Sequence, residues 1–163
     1  MIKQYVPSKV CLKCQGCCRF SQNDSIWSVR LLDKEQKKLL KNKISFFFIG
    51  KDKRIIPQPL AETHSFICSL LNPKDNKCKI YKIRPFECQI YPFILRRHHE
   101  NFFLAIHLHC PLMKDGLDSK NFKQYSNYLG SLLKSPHYLK LLKDNPQLFQ
   151  PYEDALDVSE LEI

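Results

Sequence analysis

The chain has 163 residues, 44% of them hydrophobic, with 8 Cys, 11 Phe and only 4 Gly. That length suits one domain, or one domain with an appendage, and no apolar run approaches the ~20 residues a membrane span needs. The net charge of +10 is uneven: residues 152–163 hold five acids and no Lys or Arg, so residues 1–151 carry 26 basic and 11 acidic side chains, a balance of +15.

Residues 1–10 lack an apolar core segment and a small-residue cleavage pattern, which argues against a secretion signal. A reducing cytoplasm follows, and there thiols meet metals more often than each other. The first ten residues read as extended, with Pro7 as a stiff point. Residues 11–18 then read Cys-Leu-Lys-Cys-Gln-Gly-Cys-Cys. Two residues between cysteines let a tight turn aim both sulfurs at one point, the usual half of a zinc or iron–sulfur site. Cys11, Cys14 and Cys17 form such a series. Cys18 follows Cys17 directly, and in extended backbone the two would point to opposite sides. A second metal, or a cluster sharing ligands, is therefore expected.

Beyond the knuckle, Ile26–Leu31 alternates as a short strand, and Asp33–Asn42 reads as a helix. Asp33 is its expected cap with Gln36 in the capping-box position, and Leu39 and Leu40 are expected to face the core. Residues 44–49, with Phe46, Phe47 and Phe48, read as an apolar run packed in the core. Residues 50–53 form a hairpin turn and residues 54–56 the returning strand.

Cys68 and Cys78 flank a predicted hairpin through Asn72–Lys77, which would bring them close. Pro85 suits the first turn of a short helix carrying Cys88, and Pro92 ends it. Arg84 precedes that helix and is a candidate to hydrogen-bond a thiolate sulfur around the metal. Residues 102–111 read as a strand ending at Cys110, with His107 and His109 on its other face. His98 and His99 belong to the preceding turn. With eight cysteines present, histidine ligation is unnecessary. Residues 119–134 form an amphipathic helix with Phe122, Tyr125, Tyr128, Leu129 and Leu132 on one side, and a second helix runs from His137 to Lys143.

Three separated motifs carry a family resemblance: Cys11-x2-Cys14-x2-Cys17-Cys18, Cys68…Cys78-Lys79-Ile80-Tyr81, and Arg84-Pro85-x2-Cys88-x2-Tyr91-Pro92-Phe93. Over residues 8–112 the chain resembles the CxxCxxCC cysteine-cluster proteins, described as zinc- or iron-chelating and often as iron–sulfur proteins. A related cysteine segment occurs in flagellin lysine N-methylases. This chain is much shorter and shows no Gly-rich loop after a strand, so methyl transfer is not carried over.

The expected fold is α+β: a small, loop-rich, metal-stapled domain with short antiparallel strands and a C-terminal helical segment. Residues 1–112 would form the cysteine-cluster domain, 113–151 the helical segment on it, and 152–163 an acidic tail, solvated or strapped over the basic body. The metal-ligand candidates are Cys11, Cys14, Cys17, Cys18, Cys68, Cys78, Cys88 and Cys110, the count for two four-sulfur sites. They suit a [4Fe–4S] iron–sulfur cluster or iron, with zinc as the alternative. The first reading is electron transfer, or metal or cluster handling with a protein redox or metal-delivery partner. The second is a zinc-binding structural module whose basic surface meets nucleic acid or protein; no membrane role is expected. No hydrolase triad, phosphate loop or His-Glu-x-x-His helix is present, so no catalytic residue is assigned.

Overall fold

The computed structural model describes all residues except 1, 12, 15, 62, 114 and 115. Two compact units are present, one of Pro7–Gln89 and one of Ile2–Val6 with Ile90–Ile163. The fold is α+β, with five α-helices and eight short strands among the described residues. All strand pairs within the three small sheets are antiparallel.

The first unit opens with a single helical turn, α1 (Ser8–Cys11), where an extended lead was expected; the Val10 and Cys11 N–H groups turn back to the Pro7 carbonyl. Strand β1 (Arg19–Phe20) follows, then helix α2 (Asp33–Lys41). Strands β2 (Pro57–Pro59) and β3 (Phe66–Cys68) complete a sheet of order β1-β3-β2. The next pair, β4 (Leu71–Asn72) and β5 (Lys77–Cys78), is the hairpin expected between the cysteines. Helix α3 (Phe86–Ile90) carries Cys88 to the end of the unit.

Leu31, Leu39, Ile55, Leu70 and Ile80 form the core of this unit, with Phe48, Ile49, Cys68 and Cys78 packed against them. The strand expected over Ile26–Leu31 is reduced to an Arg30–Arg54 bridge. Arg54 Nη1 donates to the carbonyls of Ser25, Ile26 and Ser28, which bends that segment into turns. Helix α2 begins one residue earlier than a cap at Asp33 would place it. Leu32 is the cap residue, and Glu35, not Gln36, accepts its N–H at 3.0 Å. The other Glu35 oxygen accepts the Phe86 N–H at 2.6 Å and ties α2 to α3. Only Leu39 of the leucine pair is in the core; Leu40 is 43% exposed.

The Phe triplet also departs from expectation. It is a 3-10 turn, Phe46–Phe48, rather than a strand. Three residues per turn spread three consecutive side chains around the axis, so one can face the core. Phe48 does so, while Phe46 and Phe47 are 61% and 74% exposed. Leu39→Ala is expected to lower stability by about 2–5 kcal/mol, because its cavity cannot collapse in a core this small. Leu40→Ala should stay within about 0.5 kcal/mol. Paired urea titrations check the contrast, and equal costs would contradict it.

The second unit is built on β6 (Phe93–His98), β7 (Asn101–His107) and β8 (Ala155–Glu160), with β7 central. Helices α4 (Lys120–Leu133) and α5 (Pro136–Lys143) lie between β7 and β8 in the chain. The Ser119 hydroxyl caps α4 by accepting the Phe122 N–H at 3.1 Å. The Tyr125 hydroxyl donates to the Lys3 carbonyl at 2.5 Å, so residues 2–6 belong to this unit. The buried side of α4 is Phe122, Tyr125, Leu129 and Leu133; Tyr128, expected on that side, is 38% exposed.

Strand β7 stops at His107, short of Cys110, which lies in the turn that follows. The acidic end, expected as a solvated tail or strap, instead supplies β8. Tyr152 and Leu161, 6% and 2% exposed, anchor it at either side. Arg96 Nη1 meets both Asp157 oxygens at 3.0 Å, which offsets an acid in the sheet. No helix among the described residues is long and apolar enough to cross a membrane.

Candidate metal centre

Seven of the eight cysteines lie in the first unit: Cys11, Cys14, Cys17, Cys18, Cys68, Cys78 and Cys88. Cys110 is in the second, 4% exposed, with its N–H on the His107 carbonyl at 3.2 Å. All eight are free thiols.

Local structure explains how distant sulfurs meet. Cys11 closes α1, and Cys14, Cys17 and Cys18 occupy the turns before β1. Strand β1 pairs with β3, and the Cys68 N–H donates to the Cys18 carbonyl at 2.9 Å. Cys78 is opposite Leu71 in the β4–β5 hairpin, three residues beyond Cys68. Thus sheet pairing, rather than sequence proximity, joins the knuckle to the second motif.

Cys17 and Cys18 do not diverge. They sit in a turn, not an extended segment, and their sulfurs are 3.9 Å apart. Two thiolates on one tetrahedral zinc, each bonded at about 2.3 Å, lie about 3.8 Å apart. The adjacent pair is therefore spaced to share one ion. Among the described residues no group of three His, Cys, Asp or Glu side chains is gathered tightly enough to hold a metal as it stands.

The electrostatics centre on Cys18. The hydrogen bond from Cys17 holds its thiol below the ordinary value, against the effect of burial, and Arg19 and Arg84 add positive charge. Its neighbours move the other way. Cys17 is raised by that same hydrogen bond, by burial, and by repulsion from Cys18, Cys88 and Cys11. Burial first, then Cys18 and Cys78, push Cys68 up to about 12. Burial and Cys18 raise Cys78, while burial, Cys18, Cys68 and Cys78 raise Cys88 well above the ordinary value. Six sulfurs thus feel one another's charge. Without a cation, burial first and mutual repulsion second keep Cys68, Cys78 and Cys88 protonated. A bound cation reverses that balance and releases the protons.

Backbone donors already point at several of these sulfurs. Gly16 N–H lies 3.3 Å from Cys14 Sγ. The N–H groups of Leu70 and Leu71 favour the Cys68 thiolate, and that of Ile80 favours Cys78. In each case the donor is two, or two and three, residues beyond the cysteine. Such turns stabilise the anionic sulfur that a metal requires. Arg19 Nε is buried without a hydrogen-bond partner among the described residues, although Arg19 Nη2 reaches Asn76 at 3.0 Å. The donor set, soft sulfur ringed by N–H groups and two cations, fits a thiolate-bound metal or cluster.

Arg84 acts here through charge. Its Nε donates to the Tyr81 carbonyl at 3.0 Å, its guanidinium lies 3.9 Å over the Tyr81 ring, and it favours the Cys18 and Cys78 thiolates. Sequence reading missed Arg19, although it directly follows Cys18. Of the histidines, His107 Nδ1 is 2.9 Å from the Tyr91 hydroxyl, and burial, then His109, hold it down at about 4.

A buried acid was also missed. Glu87 accepts the Arg30 N–H at 2.7 Å, and burial raises its carboxyl to about 7 against the pull of that bond and of Arg54. A raised carboxyl contributes its full stability below the unfolded value near 4.3 and loses it as pH rises through the folded value. Glu87→Gln imitates the protonated acid. It is expected to gain about 1–3 kcal/mol at roughly pH 8 and little at roughly pH 4, below the unfolded value. Denaturant titrations at the two pH values read this, and an equal effect at both would contradict it.

A family model named CxxCxxCC, with the description "Putative zinc- or iron-chelating domain", matches residues 10–111. An uncharacterized protein of Methanocaldococcus jannaschii is 31% identical over 88 residues, which is 51% of this chain and 43% of that protein. The chain thus matches less than half the length of that relative. No solved structure matches.

Proposed function

We propose, on the premise that the chain belongs to the CxxCxxCC family, that it carries a cysteine-ligated iron–sulfur cluster. The ligands come from Cys11, Cys14, Cys17, Cys18, Cys68, Cys78 and Cys88. Cys110 keeps its candidacy from the sequence alone. The observation that carries the reading is the gathering of thiols around Cys18: its sulfur is 3.9 Å from that of Cys17, its carbonyl accepts the Cys68 N–H, and its charge acts on Cys17, Cys68, Cys78 and Cys88. Three sulfurs at two-residue spacing followed by distant ones match iron–sulfur ligation. When bound, such a group supplies one-electron chemistry or a transferable metal, in the cytoplasm where thiols stay reduced. The chain's own part is to hold the sulfurs anionic through backbone N–H groups, Arg19 and Arg84.

Zinc is the second reading, favoured by the 3.9 Å spacing of the Cys17 and Cys18 sulfurs. Anaerobic purification with iron, zinc and acid-labile sulfide analysis separates the two. Iron with sulfide and a broad absorption band near ~400 nm supports the cluster. A colourless, sulfide-free zinc protein overturns it in favour of a structural or interaction module.

A further inference from the structure

The surface of the first unit carries a feature that metal binding does not use. In α2 the exposed Lys34, Lys37, Lys38 and Lys41 follow spacing i, i+3, i+4, i+7, so they form one stripe opposite buried Leu39. At 1.5 Å per residue that stripe is about 10 Å long. Exposed Lys43 continues it in the chain toward the Phe46–Phe47 turn, and exposed Lys51 follows that turn. The two rings stack on each other, with centroids 4.2 Å apart and an interplanar angle of 30°.

The acids within this stretch are engaged elsewhere. Asp33 accepts from Lys53 Nζ at 2.5 Å. Asp52 pairs with Arg54 at 3.0 Å and Arg30 at 3.5 Å. Glu35 accepts the Leu32 and Phe86 N–H groups. The six lysines enter no ion pair among the described residues. A linear run of positive charge, followed directly in the chain by exposed aromatic rings, therefore calls for a partner with regularly spaced anions and flat apolar faces.

We infer that α2 and the Phe46–Phe47 turn form a binding surface for single-stranded nucleic acid. The lysine stripe runs beside roughly two or three successive phosphates, and a base stacks on the open face of the Phe pair. A lipid surface fits less well. Helix α2 buries Leu39 and turns lysines outward, and its one exposed apolar side chain, Leu40, does not make a face to lay into a bilayer. The inference does not depend on which metal the cysteines hold.

The test uses the full chain as purified, with a labelled oligouridylate of about 16 nucleotides, followed by fluorescence anisotropy at roughly 50 and 200 mM salt. Binding is expected to weaken tenfold or more across that range. Phe46→Ala with Phe47→Ala is expected to weaken it about tenfold or more at fixed salt slope, because both rings are exposed and their loss spares the core. Phe47→Tyr, which keeps a stacking face, should retain binding. Lys37→Glu with Lys41→Glu should weaken binding and lower the salt slope by about 1–2. No binding, or binding indifferent to the Phe pair, overturns the inference. So does Phe-dependent capture by phosphatidylserine vesicles with no uptake of the oligonucleotide.

Discussion

Cys18→Ser is expected to release the metal and unfold the first unit at temperatures where the unaltered protein is folded. Three links pass through this residue. Its carbonyl accepts the Cys68 N–H at 2.9 Å, which holds the knuckle to β3. Its sulfur is 3.9 Å from that of Cys17. Its charge acts on Cys17, Cys68, Cys78 and Cys88. Serine keeps the backbone link and removes the other two, since a hydroxyl does not ionise under these conditions and binds soft metals poorly. Structural zinc contributes about 10–16 kcal/mol in small metal-folded peptides. Losing a shared ligand forfeits enough of that to exceed the few kcal/mol a core of five buried side chains can hold in reserve. Metal per chain and the thermal melt of the variant read the result together. Full metal content with an unchanged melting temperature would remove Cys18 from the centre.

Phe93→Ala is the largest effect expected outside the cysteines, a loss of about 3–5 kcal/mol. Phe93 is fully buried at the start of β6. Its ring stacks on Phe122 at 5.7 Å and 10°, and Tyr5 meets it edge-on at 6.2 Å. Tyr125 closes the group at 5.4 Å. One ring therefore joins the sheet, α4 and residues 2–6. Its removal leaves a cavity whose walls are held by three separate elements, so the walls cannot close over it. Phe93→Leu should cost roughly half as much, since it refills part of the volume. Leu156→Ala, at a side chain 46% exposed, should change stability by no more than about 0.5 kcal/mol. Equal melting shifts for Phe93→Ala and Leu156→Ala would contradict the packing described.

Elements set by local chemistry were legible in the sequence. The apolar spacing of α4, the short helix after Pro85, and the turn between Cys68 and Cys78 follow from nearby residues. What escaped depends on distant partners. The β1–β3 pairing that seats Cys68 on Cys18 spans residues about fifty apart, and two-residue strands leave no periodic trace. The Phe triplet looked like core because composition cannot tell a strand from a 3-10 turn, which exposes two rings of three. The acidic end concealed β8, since Arg96 offsets Asp157 only once the sheet has formed. At the site, the cysteine spacing was readable, but the direction of Cys18 was not. Opposed directions assume extended backbone, and the chain turns there instead.

On the proposed reading, the cysteines of the first unit hold a metal on which the fold of that unit depends. Elemental analysis of the anaerobically purified protein, repeated after dialysis against a strong chelator and paired with a thermal melt, tests it most directly. The account predicts at least one iron or zinc per chain, with a large fall in melting temperature once that metal is removed. A metal-free protein that melts identically before and after the chelator would contradict it.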